Sequence, residues 1–409
     1  MKTLVVRLNG TRIGTFSQTA HGKLSFQYDT GWLASPQSLP VSQSLPLQAE
    51  PFDESACAGF FGGLLPEDYN RELIARNLGI TSRNDYAMLR EIGGECAGAV
   101  TLLDPDIQQE ELPHSYHPVS LTELEEILRT LPRKPLLAGE AEVRLSLAGA
   151  QNKLALLYDG TGYAVPLHES PSSHILKPEA EHFPGLVENE AYCLRLARRT
   201  DLPAVEAQAI NIGSYRCLLV ERYDRRRESG RLYRLHQEDF CQAMGISSRY
   251  KYQSEGGPSL AQCFDLLRKA SARPARDLVT LFETVLFNYL IGNNDAHGKN
   301  FSLLYSAGTD TVVQLAPLYD LVCTVAYPNL SPKMAMKIGS EYVPADLRLR
   351  HWEACWQAIG FSPKQALAQT HRFMEKMEAA LGDSTGSEME ESIRKIVRLR
   401  LQMLYQLLK

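Results

Sequence analysis

No CxxC pair occurs among the eight cysteines, so the chain offers neither a zinc-ribbon frame nor a small disulfide scaffold. Scattered singly, they read as small buried side chains of a protein kept in a reducing compartment. Long apolar runs are equally scarce. The longest, LVTLFETVLFNYLIG at 278–292, is too short to cross a bilayer and carries Glu283 and Asn288, which points to a core helix and to no membrane partner. The opening MKTLVVRLNGTRIGTF alternates apolar and polar side chains where a signal peptide would have an unbroken apolar core, so a cytoplasmic location is the expectation. A strong net charge is missing too. At -5 over 409 residues, the field of the whole molecule argues against non-specific nucleic-acid binding. There is no internal repeat, no GxGxxG and no GxxxxGK[ST], which excludes both the ordinary kinase glycine loop and the P-loop.

What is present belongs to an ordinary globular protein. Hydrophobic residues make up 44% and charged residues 22%, and the length suits two or three domains. Residues 1–105 begin with two strands around a hairpin turn at Asn9 and Gly10, and FFGGLLPEDYNRELIARNLGI is helical on both sides of Pro66. Residues 106–140 read as a polar linker with one short helix, since Ser120 and Glu123 form a capping-box pattern ahead of LTELEEILRT. From 141 to 235 the runs RLSLAG, KLALLYDG, YAVPL, HILK, QAINIG and YRCLLVERYD are strand-like, interrupted by a helix over 186–200. Residues 236–409 read as helical throughout, starting with HQEDFCQAMG. The expected class is therefore α+β, a β-rich lobe followed by an all-helical one.

NNDAHGKNFSLL, residues 293–304, follows the core helix directly and concentrates amides, a carboxylate, a histidine and a lysine on rigid support. Asp295 and Asn300 have the D-x-x-x-x-N spacing of a kinase catalytic loop, in which the aspartate accepts the proton of the attacking hydroxyl and the asparagine oxygen holds magnesium. That chemistry requires a second carboxylate for the metal, and Asp320 in APLYDLV ends a short apolar run twenty residues on. His297 and Lys299 supply donors where the transferred phosphoryl group develops charge. Lys177, ending HILK, is the candidate for the strand lysine that holds the nucleotide phosphates, with Glu190 or Glu188 as its carboxylate partner. SLAGAQNK places Ala148, Gly149, Ala150, Gln151, Asn152 and Lys153 in a small-residue loop whose N–H groups suit phosphate oxygens. Plainer readings stand beside these: Asp295 and Asn300 as turn residues, Lys177 as a solvated strand end, and 146–153 as a simple turn.

Taken in order, RLSLAGAQNKLALL, HILKP, NEAYCLRLA, LLVERYDRR, QEDFCQAMG, KYQSEGGPS, NNDAHGKNFSLL and LAPLYDLV resemble the successive motifs of the HipA family, bacterial serine/threonine kinase toxins. LNGTRIGTF, WLAS, SLPL, FFGGLLPE and GGECAGAVTLL resemble its amino-terminal subdomain, so the likeness runs over residues 1–330 and leaves the last seventy matched only as helical texture. The resemblance implies a bilobal protein-kinase-like fold using ATP and Mg2+. By it Asp295 is the catalytic base, Asn300 and Asp320 are metal ligands, and Lys177 contacts ATP. The Glu221 backbone and Tyr223 ring would hold adenine, the loop from Ala148 to Lys153 would cover the phosphates, and Ser146 would be autophosphorylated and so switch the enzyme off.

The same resemblance implies a HipB-like helix-turn-helix antitoxin, operator DNA reached through that complex, and glutamyl-tRNA synthetase as phosphoacceptor, with persistence as the outcome. NND stands where most protein kinases have HRD, and YDL where they have DFG. A D-x-H-x-x-N arrangement also occurs in phosphoinositide kinases, so lipid or small-molecule phosphorylation is the alternative, and a non-catalytic co-repressor subunit is the alternative of another class. The six arginines of ERYDRRRESGRLYR read as a solvated face, or else as a surface touching the operator DNA.

Overall fold

The computed structural model describes residues 1–105, 114–306, 312–382 and 386–409. The chain divides into two compact units, the first made of Met1–Ala180, Ile210–Arg249 and Leu303–Val313, the second of Glu181–Ala209, Tyr250–Ser302 and Gln314–Lys409.

The first unit opens with Lys2–Leu8 and Thr11–Gln18 paired antiparallel across the two-residue turn at Asn9 and Gly10. Leu24–Tyr28 and Val100–Leu103 complete a four-stranded sheet. Alternate residues face inward, so Leu4, Val6, Ile13, Phe16 and Phe26 are fully buried, and Phe61 stacks on Phe16 with ring centroids 4.3 Å apart. Each such side chain removed from water contributes roughly 2 kcal/mol. Helices Glu54–Phe60 and Asp85–Ile92 pack on this sheet, the first capped by Asp53 accepting from the Ala56 amide at 3.0 Å, and Asp68–Asn77 packs on the turn Pro135–Leu137. Of the expected linker, residues 106–113 lie outside the described residues. Its helix is Leu121–Thr130, with both halves of the Ser120–Glu123 capping box formed.

A second sheet runs in the order Tyr116–Val119, Tyr163–Pro166, Leu154–Tyr158, His174–Pro178, Tyr215–Glu221, Ala207–Ile212. Two readings of local structure change here. RLSLAG is no strand: Leu145 bridges Glu95, Gly149 bridges Pro66, and nothing else pairs. Its alternation reflects burial on several sides, since Leu145, Ser146 and Leu147 are all inside. HQED, read as the start of a helix, is the strand His236–Asp239, and helix Phe240–Ala243 begins only where Asp239 caps it.

The arginine-rich stretch is also corrected. It folds as the hairpin Arg225–Glu228 with Arg231–Arg234, yet Arg222, Arg225 and Arg234 turn inward. Glu95, from GGECAG, is fully buried and accepts from Arg222 at 3.0 Å, Arg225 at 2.7 Å and Arg234 at 2.5 Å, while Asp224 takes Arg222 at 2.7 Å. Burial pushes the Glu95 carboxyl up, but the three guanidiniums outweigh it and hold the group well below the usual carboxylate range. Only Arg226, Arg227 and Arg231 are exposed.

The second unit is built on Pro274–Ile291, whose first helical residue is a proline and whose last turn is closed by Gly292. Leu260–Ala270 packs beside it, as do Pro363–Leu381 and Glu388–Leu407. The last seventy residues are thus part of this core: Arg400 donates to the Tyr289 carbonyl, Arg394 to the Tyr192 hydroxyl at 3.2 Å, and Arg195 pairs with Glu390 at 2.6 Å. Beyond residue 236 the described chain joins its helices by irregular segments, the longest between Leu315 and Leu349, and by short strands at His236–Asp239, Ser302–Tyr305 and Val313–Leu315. The all-helical reading therefore holds for the long helices and not for these three strands, which pair with one another in one sheet.

Candidate active site

The loop after Pro274–Ile291 is held by its own polar side chains. Asn293 donates to the Asn288 side chain at 3.0 Å and accepts from the Asp295 amide at 3.1 Å, which fixes the backbone just ahead of Asp295. Thr324 braces the same turn, its hydroxyl donating to the Gly292 carbonyl at 3.0 Å and accepting from the Asn294 amide at 2.8 Å. Asp295 is left exposed, while His297 and Lys299 are 6% exposed. Asn300 donates its amide to the Asp295 carbonyl at 2.9 Å, so its side-chain oxygen points the other way.

Asp320 comes to this loop through its neighbour. The Tyr319 hydroxyl donates to the Lys299 carbonyl at 2.8 Å and lies 2.6 Å from Ser302 Oγ, which ties the residue before Asp320 to this loop. Asp320 itself has φ +51°, a left-handed conformation that costs a non-glycine residue about 1 kcal/mol and persists where the surrounding structure over-determines it. Asp295, His297, Lys299 and Asn300 thus share one loop of the second unit, and Tyr319, next to Asp320, is bonded to that loop. An amide oxygen and a carboxylate are hard oxygen donors of the kind magnesium accepts, so Asn300 and Asp320 suit that ion by type.

Sequence reasoning missed Tyr252. Its hydroxyl donates to Asp295 Oδ1 at 2.7 Å, and its ring meets His297 edge-on at 5.3 Å. The motif KYQSEGGPS was visible, but nothing in its spacing says that it returns to a loop forty-three residues on.

The remaining candidates lie in the first unit. Lys177, 5% exposed, sits on His174–Pro178 opposite Leu218. Glu221 ends the neighbouring strand and is exposed, and the Tyr223 hydroxyl donates to Gln237 at 2.6 Å. The loop from Ala148 to Lys153 closes on itself, with Lys153 Nζ 2.5 Å from the Ala148 carbonyl. Gly149 has φ +102°, a backbone conformation that favours glycine, and the nearest atom to a Cβ there is the far end of the flexible Lys153 side chain at 2.8 Å. Ser146 is fully buried and donates to the Leu64 carbonyl at 2.8 Å. Glu190, in helix Leu186–Arg199, belongs to the second unit and is 3% exposed.

Residues 145–381 match the HipA-like C-terminal domain family and residues 4–103 the HipA N-terminal domain family. The provisionally named kinase Y4mE of Sinorhizobium fredii is 46% identical over 366 residues, covering 88% of this chain and 86% of that protein. The serine/threonine-protein kinase toxin HipA of Shewanella oneidensis is 29% identical over 395 residues, 93% of this chain and 89% of that one. A solved complex of Shewanella oneidensis HipA with HipB and operator DNA contains a chain that superposes with a TM-score of 0.85 at 26% identity, over 99% of this chain and 98% of that chain.

Proposed function

This chain belongs to the HipA family, and we propose that it is an ATP-dependent serine/threonine protein kinase acting as the toxin of a toxin–antitoxin pair. What supports the reading is the loop 293–300, in which Asp295 is exposed and accepts from Tyr252 at 2.7 Å, Asn300 donates to the Asp295 carbonyl at 2.9 Å, and Tyr319, the residue before Asp320, donates to the Lys299 carbonyl at 2.8 Å. Asp295 accepts the proton of the attacking serine hydroxyl, and Tyr252 orients its carboxylate. His297 and Lys299 offer donors to the transferred group. Asn300 and Asp320 would hold magnesium, which would neutralise phosphate charge. Lys177 and the loop from Ala148 to Lys153 take the phosphates of ATP, with Glu221 and Tyr223 at the base.

Ser146 is the proposed autophosphorylation site. Its hydroxyl is fully buried against Leu64, where a phosphate dianion has neither room nor solvation, so modification would require the loop to leave. A HipB-like antitoxin, an operator reached through it, and glutamyl-tRNA synthetase as acceptor follow from family likeness. The co-structure of the Shewanella oneidensis relative with HipB and operator DNA supports the first two of these.

One incubation tests the reading: wild type and Asp295→Asn, each with Mg-ATP labelled at the γ-phosphate and a cell extract. Wild type is expected to phosphorylate a serine of an extract protein and then Ser146, losing activity as Ser146 fills. The variant is expected to transfer at least a hundredfold more slowly. Transfer at the wild-type rate by the variant refutes the kinase assignment, and phosphate on the chain but never on Ser146 removes the autoinhibition.

A further inference from the structure

A cavity of about 460 Å³ opens in the second unit, walled by the start of Leu260–Ala270, by one face of Leu349–Ala358 and by the segment 337–340. No aspartate or glutamate lines it, whereas Lys337, Arg350 and His351 do. Lys337 lies over the Tyr342 ring at 5.0 Å and Arg350 Nε is 3.3 Å from His351 Nε2; among the described residues no carboxylate pairs with either cation. Glu341, the nearest acid in sequence to Lys337, spends its carboxylate on the Tyr342 and Val343 amides at 2.8 and 2.9 Å. The floor is aliphatic, formed by Leu260, Ala354, Ala358 and Ile359. Gly339 keeps one wall thin: a Cβ there would stand 2.4 Å from the His351 carbonyl oxygen.

This cavity is wired to the catalytic loop. The Ala335 amide donates to the Asn294 carbonyl at 2.8 Å, the Gln253 amide to the Ala335 carbonyl at 3.0 Å, and the Lys337 amide to Gln253 Oε1 at 2.8 Å. Gln253 lines the cavity, and Tyr252 beside it holds Asp295. An anchor placed here thus lies on the same short stretch of backbone that orients the base.

We propose that this cavity docks an acidic segment of the phosphoacceptor protein, a glutamate or aspartate carboxylate seated on Lys337 and Arg350 and its methylenes on the aliphatic floor. The site would present a serine a few residues away to Asp295. Charge complementarity selects the occupant: two unpaired cations in an acid-free pocket attract a carboxylate. A nucleic-acid strand would need aromatic platforms for its bases, and the lining has no phenylalanine, tyrosine or tryptophan. The inference rests on the kinase reading for its meaning but can be tested without phosphoryl transfer.

The test measures binding of a fluorescent Glu- and Ser-rich octapeptide to the full chain, with a Lys-for-Glu peptide and a single-stranded oligonucleotide as controls. The wild type and the Lys337→Ala/Arg350→Ala variant are compared, and Mg-ATP binding is measured on both to report that the unit is folded. The acidic peptide should bind the wild type, weaken as salt rises, and lose at least tenfold in affinity in the variant, with ATP binding unchanged. Equal affinity in the two proteins, equal binding of the basic peptide, or tighter binding of the oligonucleotide overturns the proposal. Lys337→Arg with wild-type Arg350 should keep most of the affinity; should it behave like the double variant, the effect is one of folding and the proposal fails. Loss of activity on Asp295→Asn would leave every one of these binding results untouched, so the two readings fail separately.

Discussion

At the scale of single residues, the site depends on bonds between side chains far apart in sequence. Tyr252 is the clearest case, because its hydroxyl donates directly to the carboxylate that must accept a proton. A hydrogen bond to a charged group contributes about 1.5 to 3 kcal/mol, and even the lower figure is roughly tenfold in rate if the bond orients the base. Tyr252→Phe should therefore lower kcat about tenfold and leave the KM for ATP unchanged. Steady-state kinetics with ATP and protein acceptor varied separately would show it. If kcat stays level or rises, the phenol is a bystander or a block on the acceptor's place. The D-x-x-x-x-N spacing and the lone carboxylate of YDL were legible in the sequence because they are local. The Tyr252 contact and the left-handed backbone of Asp320 were not, since each is set by packing partners that only the fold brings near.

At the scale of elements, the phosphate loop shows what pattern reading could and could not find. Small residues between two apolar runs announced a turn, and Gly149 fits it. What fixes the loop came from elsewhere: the segment Leu64 to Asn70 accepts from Ser146 at 2.8 Å, donates from the Glu67 amide to Gly149 at 3.3 Å, and donates from Asn70 Nδ2 to Ala150 at 2.7 Å. The amino-terminal subdomain is thereby a clamp on a loop eighty residues further on. Removing one neutral bond of this kind costs about 1 kcal/mol, or roughly fivefold in an equilibrium. Asn70→Ala should raise the KM for ATP about fivefold, with kcat at saturating ATP within twofold of wild type. Unchanged nucleotide affinity, measured by titration with a non-hydrolysable ATP analogue, would show that the clamp is structural only. The helix over Leu121–Thr130, by contrast, was readable to its cap, because the Ser120–Glu123 capping box is written locally in the sequence, whereas HQED, read as helical, is a strand.

At the scale of the whole molecule, buried acids decide how stability follows pH, and they pull in opposite directions. Glu95 is held ionised by three arginines, so it stabilises the fold above the ordinary carboxylate range, and that contribution is lost as pH falls through its depressed folded value. Glu238 does the reverse. It lies fully buried on the strand His236–Asp239, bonded to Ser42 and Tyr305 at 2.5 Å each and to the Gln43 amide at 3.0 Å, and burial, with Asp239 adding to it, pushes its carboxyl from 4.5 up to about 7. Between those two values the folded chain keeps a proton that the unfolded chain has released. Stability from this group is thus complete below 4.5 and gone above 7, a decline of about 3 kcal/mol. Glu238→Gln keeps the shape, lets the amide oxygen accept from Tyr305 and Gln43, and cannot ionise. Its unfolding free energy should exceed that of wild type by about 1 to 3 kcal/mol at pH 8 and match it within about 1 kcal/mol at pH 5. Denaturant titrations at the two values decide the matter: curves displaced equally at both, or a variant less stable at pH 8, would mean that the Glu238 proton is not what the slope reports.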